Sequence, residues 1–311
     1  MFKNLLIFQM KEDFSISDTD LRSKMAEFAF RKCGATDIKS SGWVSPVKGS
    51  EELCYFSNGH MLLTIMTEDK ILPSTVVKEE MEAKIEKLEE AQGRKLKKAE
   101  KDTIKDEVIQ SLLPRAFSKY STLSIWIDSG KKRVLVEASS SKKAEDALAL
   151  LRKTLGSLPV SPFTTNSPIE YTLTEWVKSG QPSEGFEVLD EAELKDMMEE
   201  GGVLQSKKQD LSSEEIQNHI EAGKQVTKLM LNWKGKGESD DKINFLLSND
   251  GSLKKIKMSD VLKDKNSDID KDDFAQRFDA DFVLFAGEVS MLVSDILEAF
   301  VGSEAEQSEA E

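Results

Sequence analysis

The chain has 311 residues and a formal net charge of −14, with 39% hydrophobic and 32% charged residues. A chain of that length buries roughly two or three packing units, and no apolar run approaches the ~20 residues that span a bilayer. Two cysteines, Cys33 and Cys54, lack CxxC spacing and point to a reduced, cytoplasmic protein, and the opening MFKNLLIFQMKEDF turns polar without a small-residue cleavage site, unlike a signal peptide.

Asn4 to Met10 reads as an apolar strand. Ser17 or Asp18 caps a helix to Phe30 with Leu21, Met25, Phe28 and Ala29 on one face. Leu53–Phe56 and Met61–Met66 read as strands joined by the turn Ser57-Asn58-Gly59-His60. From Pro73 a helical region keeps Met81, Ile85, Leu88, Leu96, Ala99, Ile104, Val108 and Leu112 on a thin apolar stripe, and Pro114 ends it. Gly93 permits either one long helix or a helical hairpin turning near Gly93 to Lys98. So much charge around so thin a stripe predicts an arm projecting from the body.

Thr122–Ile127 and Arg133–Ala138 read as strands around the turn Ser129-Gly130-Lys131. Ser141–Leu155 reads as a helix closed by Gly156, and Pro159, Pro162 and Pro168 as a linker. The second half predicts helices at Asp190–Glu200 and Ser212–Ala222, and strands at Val226–Trp233, Ile243–Leu247 and Leu253–Met258. The last two flank the Asn249-Asp250-Gly251 turn. Asp281–Phe285 reads as a strand leading into a helix from Glu288 to Phe300, followed by a disordered acidic tail. The class is α+β, with strand-strand-helix units in two halves and no clear sequence repeat. The predicted divisions are a body part over 1–72, the helical arm over 73–116, a strand-strand-helix unit over 117–160, a C-terminal half over 161–301 and the tail over 302–311.

Charge is unevenly spread. Arg94 to Val160 carries 15 basic against 8 acidic residues, while Glu184–Glu200 is −7 and Asp264–Glu311 is −11. A basic stretch in an acidic chain needs a polyanion, a partner or a structural reason. Arg94, Lys95, Lys97, Lys98, Lys101 and Lys105 fall on the arm, and Arg115 and Lys119 follow it beside Phe117 and Tyr120. Lys131, Lys132 and Arg133 fall on a turn, Lys142 and Lys143 at a helix start, Lys207 and Lys208 before a helix, and Lys254, Lys255 and Lys257 on a strand. Such groups neutralise phosphates without reading bases. Phe117 and Tyr120 suit base stacking, a core or an interface.

Catalytic motifs are sparse. Gly93-Arg94-Lys95 lacks the upstream glycine and strand of a P-loop, His60 and His219 with the two cysteines make no zinc set, and no nucleophile elbow is present. An EF-hand laid on Asp264, Asp268, Asp270, Asp272 and Asp273 puts Ile269 where glycine is required and Ala275 where the bidentate glutamate belongs. Asp279 and Asp281 in FDADF suit a two-metal nuclease or the alternation of a half-buried strand. No cofactor is implied.

The runs LLPRAFSKYS (Leu112–Ser121), SKKAEDALALLRKTLGSLPV (Ser141–Val160), SPIEYTLTEWV (Ser167–Val177), KKQDLSSEEIQNHIEAGKQVTKL (Lys207–Leu229), NDGSLKKIK (Asn249–Lys257) and DFAQRFDADF (Asp273–Phe282) resemble the RdgC family of bacterial recombination-associated proteins. The resemblance covers essentially the whole chain. It implies a cytoplasmic, nucleoid-associated, non-catalytic protein that forms a ring-shaped homodimer around a positive hole wide enough for duplex DNA. It implies binding with little sequence preference and antagonism of RecA by competition for DNA, double-stranded or single-stranded. The family's gate phenylalanine matches Phe117 in LPRAFS, its nearby proline matches Pro73, and its Lys-Gln pair near the hole matches Lys208 and Gln209. Tyr120 completes the expected interface. Lys97, Lys98, Lys101, Arg115, Lys119, Lys132, Arg133, Lys207, Lys224 and Lys228 are the other expected DNA contacts, with the acidic segments facing away from DNA. Two features depart from the family: Tyr120 stands where an apolar aromatic is expected, and Gly235–Asp241 lengthens a loop with three acids. A metal-dependent nuclease and a charged scaffold for an acidic partner are the alternatives.

Overall fold

The central strand segments of the first half are apolar at nearly every position because both faces of their sheet are covered there. In a computed structural model describing residues 2–12, 16–165, 167–198, 201–237, 240, 242–266, 268–270 and 273–301, this sheet has seven strands. They are β1 (Leu6–Met10), β2 (Lys39–Val44), β3 (Cys54–Ser57), β4 (His60–Ile71), β5 (Phe117–Asp128), β6 (Arg133–Val136) and β7 (Val160–Pro162). The order is β2-β4-β5-β6-β1-β7, with β3 also on β4, and every named pairing is antiparallel. One face sends Phe8, Leu63, Ile65, Ile125, Ile127 and Val134 against α1 (Asp18–Glu27) and α4 (Ser141–Leu155), which contribute Leu21, Met25, Ala144, Leu148 and Leu151. The other face sends Ile7, Leu62, Trp126 and Leu135 into a cluster shared with the second half.

A five-stranded antiparallel sheet forms there in the order β12-β11-β10-β8-β9. Its strands are β8 (Phe186–Asp196), β9 (Val203–Lys207), β10 (Lys224–Trp233), β11 (Ile243–Ser248) and β12 (Leu253–Met258). Leu5 and Leu253 exchange backbone hydrogen bonds of 2.8 and 2.9 Å, stitching the two sheets together. α5 (Ile169–Ser179), α6 (Glu214–Glu221), α7 (Asp260–Asp264) and α8 (Phe274–Val301) complete the second half. The 28 residues of α8 extend ~42 Å. Phe282, Phe285, Val289, Leu292, Val293, Ile296 and Phe300 are buried on it, and it touches both sheets. Arg133 Nη1 donates to the Ser290 carbonyl and the Ser294 hydroxyl, Ser290 donates to Asp128, and Trp233 Nε1 donates to Asp295. Among the described residues no helix is long and apolar enough to cross a membrane.

Between β4 and β5 the chain makes a helical hairpin, α2 (Ser74–Gln92) and α3 (Lys98–Leu112), closed by a 3₁₀ turn at Leu113–Arg115. Gly93 takes φ +64 at the turn, which favours glycine and resolves the open choice toward a hairpin. Val77, Leu96, Ile104 and Val108 form a small cluster of their own, flanked by Leu72, Met81, Ile85, Ile109 and Leu112.

Four expectations are corrected. Asp190–Glu200 is not a helix: its described part lies in strand β8 and the turn after it, where Ala192 and Leu194 face the core while Glu191, Glu193 and Lys195 face away. Residues with good helix propensity are overridden by pairing to β9 and β10. Asp281–Phe285 is not a strand but the interior of α8, where Phe278, Phe282, Phe285, Ala286 and Val289 repeat at helical spacing. The proline linker contains β7, whose Pro162 is tolerated because the strand lies at the sheet edge, and then α5 opening after Pro168. The strands expected over Met61–Met66 and Thr122–Ile127 run on to Ile71 and back to Phe117, pairing over twelve positions. The tail over 302–311, Asp272, Glu199, Glu200 and two acids of the Gly235–Asp241 loop, Glu238 and Asp241, lie outside the described residues.

Candidate nucleic-acid interface

The extension of β4 and β5 builds the site. Register places Ile71 opposite Phe117, Lys70 opposite Ser118, Asp69 opposite Lys119 and Glu68 opposite Tyr120. Strand alternation puts Ile71, Asp69, Phe117 and Lys119 on one face and Glu68, Lys70, Ser118 and Tyr120 on the other. Phe117 is 83% exposed, with Ile71 at 47%, Val76 at 41% and Pro73 also exposed. The ribbon and the base of the hairpin thus present a bare apolar group. Tyr120 departs from it, because its ring meets Phe30 edge-on at 6.4 Å on the opposite face. Phe30 is brought there by Gly42 in β2, where an added Cβ would lie 2.5 Å from the Phe30 backbone. The structure therefore does not gather Pro73, Phe117 and Tyr120 on one face.

Glu68 fixes the opposite face, and sequence reasoning missed it. It is 3% exposed and accepts from Ser118 Oγ at 2.5 Å and from the Cys33 N–H at 2.8 Å, with Lys70 Nζ at 3.7 Å. The Ser118 hydroxyl, the Cys33 N–H and the Tyr120 hydroxyl hold its carboxyl below the usual range against the opposing effect of burial. Its only signal in the sequence is its place in TEDK, on the strand face that continues the buried Leu62 and Thr64.

The expected phosphate contacts fall into three environments. Lys98 in α3, Lys97 before it, Arg115, Lys119, Lys207 and Lys208 are exposed. Others are engaged at the hairpin turn. Lys101 Nζ lies 3.9 Å from Glu89, Lys95 lies 2.6 Å from Glu89, and Arg94 pairs with Glu100 through both terminal nitrogens at 3.0 and 2.5 Å. Arg94 and the Lys97 N–H hold the Glu100 carboxyl down to about 2. Lys132 is exposed at the β5–β6 turn with φ +52. Arg133 is corrected: it is 7% exposed, bonded to α8, and leaves the set of phosphate contacts. Burial lowers its pKa while Asp128 opposes that shift.

In the second sheet Lys228 Nζ bonds Glu193 at 2.7 Å, and Lys224 is half-buried at the start of β10. Gln209 is not a bare side chain: it donates to Glu215 at 3.1 Å and accepts from Ser206 at 3.3 Å. The acidic stretch Glu184–Glu200 does not simply face away from the bases. Glu187, Glu191 and Glu193 pair with Lys234, Lys255 and Lys228 at 2.8, 2.6 and 2.7 Å. Burial would raise the Glu193 carboxyl, but bonds from Lys228, Gln205 and Thr227 outweigh it and hold it low.

The carboxylates suited to a nuclease are engaged in side-chain hydrogen bonds. Asp279 accepts from the Tyr55 and Ser57 hydroxyls, and Asp281 accepts from Asn266 at 3.0 Å. Burial and the Asp279 bond push the Tyr55 phenol up to about 12. Among the described residues no group of three His, Cys, Asp or Glu side chains is placed to hold a metal ion.

A family model described as "Putative exonuclease, RdgC" matches residues 1–303. Proteins named "Recombination-associated protein RdgC" from Salmonella paratyphi B, Salmonella typhimurium and Salmonella typhi are each 51% identical over 307 residues, covering 98% of this chain and 99% of the relative. With the match spanning both sheets, the helical hairpin and α8, the chain belongs to the RdgC family of recombination-associated proteins.

Proposed function

We propose that this protein binds duplex DNA electrostatically as a closed homodimeric ring and limits the access of RecA to the DNA it occupies. The observation that carries the reading is the bare Phe117 at the end of a twelve-position ribbon, flanked by the exposed cations Arg115 and Lys119. A rigid ribbon offering a large apolar side chain to solvent suits a contact with another copy. Phosphate neutralisation by lysine and arginine needs no base-reading element, so binding has little sequence preference and falls with salt. Closure slows escape from DNA, and occupancy then blocks a recombinase filament. The protein acts non-catalytically on the nucleoid in the cytoplasm, and single strands compete for the same surface.

The test is retention on closed-circular against linear duplex of random sequence, with magnesium and manganese included. Long retention on circles, faster loss from linear ends and intact DNA are expected. Absence of any shift at low salt overturns the reading in favour of an acidic protein partner. Cleavage overturns its non-catalytic part in favour of a nuclease, the activity named in the family description.

A further inference from the structure

The outer face of the five-stranded sheet holds two carboxylates in charged hydrogen bonds with lysines. Both oxygens of Glu191 lie within reach of Lys255 Nζ, at 2.6 and 2.7 Å. Glu193 accepts from Lys228 Nζ at 2.7 Å and Gln205 Nε2 at 3.0 Å on one oxygen, and from Thr227 Oγ1 at 3.1 Å on the other. Strand register sets Lys207 opposite Glu191 and Gln205 opposite Glu193. Glu191, Glu193, Gln205, Lys207, Lys228 and Lys255 line one shallow depression of about 110 Å³. The lysine side chains are the more open members, with Lys255 50% and Lys228 33% exposed against 22% for Glu191 and 16% for Glu193. The lysine is thus the member of each pair that a second oxyanion reaches from solvent.

We propose that this face is a binding surface for the nucleic-acid phosphate backbone, and that Glu191 and Glu193 occupy its lysines until phosphates displace them. The inference rests on the DNA-binding reading above and adds a built-in competitor to it. Each contact made here trades a carboxylate for a phosphate, so the pairs weaken binding at this sheet and keep a sequence-indifferent protein mobile on DNA. The open edge of the exchange is the lysine; the displaced glutamate turns to water.

The test is binding of the full-length Glu191→Gln/Glu193→Gln variant to a labelled random-sequence duplex across a salt series. The two lysines make the same phosphate contacts without a competing carboxylate, so binding tightens by about 2- to 30-fold with little change in the slope of log K against log salt. The same charge change at Glu79→Gln/Glu80→Gln, on exposed positions of α2, gives a much smaller gain. Adding Lys228→Ala/Lys255→Ala to the glutamine variant abolishes the gain. The inference is overturned if the parent binds DNA but the glutamine variant matches it at every salt. It is overturned equally if the α2 variant gains as much, or if the gain survives loss of both lysines. A parent that does not bind duplex at low salt sinks the DNA-binding reading itself, a distinct outcome.

Discussion

Replacing Phe117 with alanine separates a side chain that holds the monomer together from one that holds two copies together. Truncating a core phenylalanine costs about 3–5 kcal/mol of stability. Phe117 is 83% exposed, so only a small part of that burial exists within the monomer. The expected loss of monomer stability is about 0.5 kcal/mol or less. Across a two-fold contact each copy buries the ring, worth about 1.5–3 kcal/mol per side chain, and symmetry doubles the effect of one substitution to about 3–6 kcal/mol. At 1.4 kcal/mol per tenfold, closure weakens by about 10²–10⁴. The assays are denaturant unfolding of the variant and its dissociation rate from closed-circular duplex. Unfolding should barely move while release from circles accelerates by orders of magnitude. A core-sized loss of stability would show that Phe117 packs within its own chain. Unchanged stability with unchanged release would show that it touches nothing, and the gate assignment would fail.

Other consequences of the geometry are equally direct. Arg133→Ala leaves the Ser290 carbonyl and the Ser294 hydroxyl of α8 without their buried donor and should cost about 1.5–3 kcal/mol in denaturant unfolding. Lys119→Ala should leave stability within about 0.5 kcal/mol and weaken DNA binding, so matched effects of the two substitutions would refute the interior placement of Arg133. The raised Tyr55 phenol stabilises the fold below the ordinary phenol range, a contribution lost as pH rises through about 12. Spectroscopic titration should find one of the three tyrosines ionising near pH 12, and common ionisation of all three in the ordinary range would count against the bond to Asp279. The lowered Glu68 carboxyl works in the other direction: its contribution is present above the ordinary carboxylate range and disappears as pH falls through its own lower pKa. Glu68→Gln should flatten that acid limb, lower stability at neutral pH and quicken amide exchange at Ser118 and Tyr120. Unaltered exchange would show that Glu68 does not anchor the ribbon.

The apolar runs of the first half were legible because continuous Leu, Ile and Val suit a sheet covered on both faces, and the helix over Ser141–Leu155 was legible from its spacing and Gly156. β8 was hidden because Leu, Glu and Ala carry helix propensity, and only its partners β9 and β10, distant in sequence, select the strand. FDADF misled in the opposite sense: two phenylalanines four apart read as alternation until the full helical repeat through Val289 is followed. The exposed Phe117 was identified from the resemblance, yet its separation from Tyr120 follows from strand alternation over a pairing that extends five residues beyond the predicted strand ends. Charge was the least transferable signal. The sums over segments said nothing of pairing, and the structure sets β8 glutamates on β10 and β12 lysines and buries Glu288 beside Lys242.

The central claim is that exposed lysines and arginines bind phosphates without reading bases. The most direct test is the slope of log K against log salt for two duplexes of equal length and unrelated sequence. The account predicts equal, linear slopes of about −4 or steeper, corresponding to at least about four neutralised phosphates. A slope near zero, or affinities that differ between the two sequences by orders of magnitude at the same salt, would contradict it.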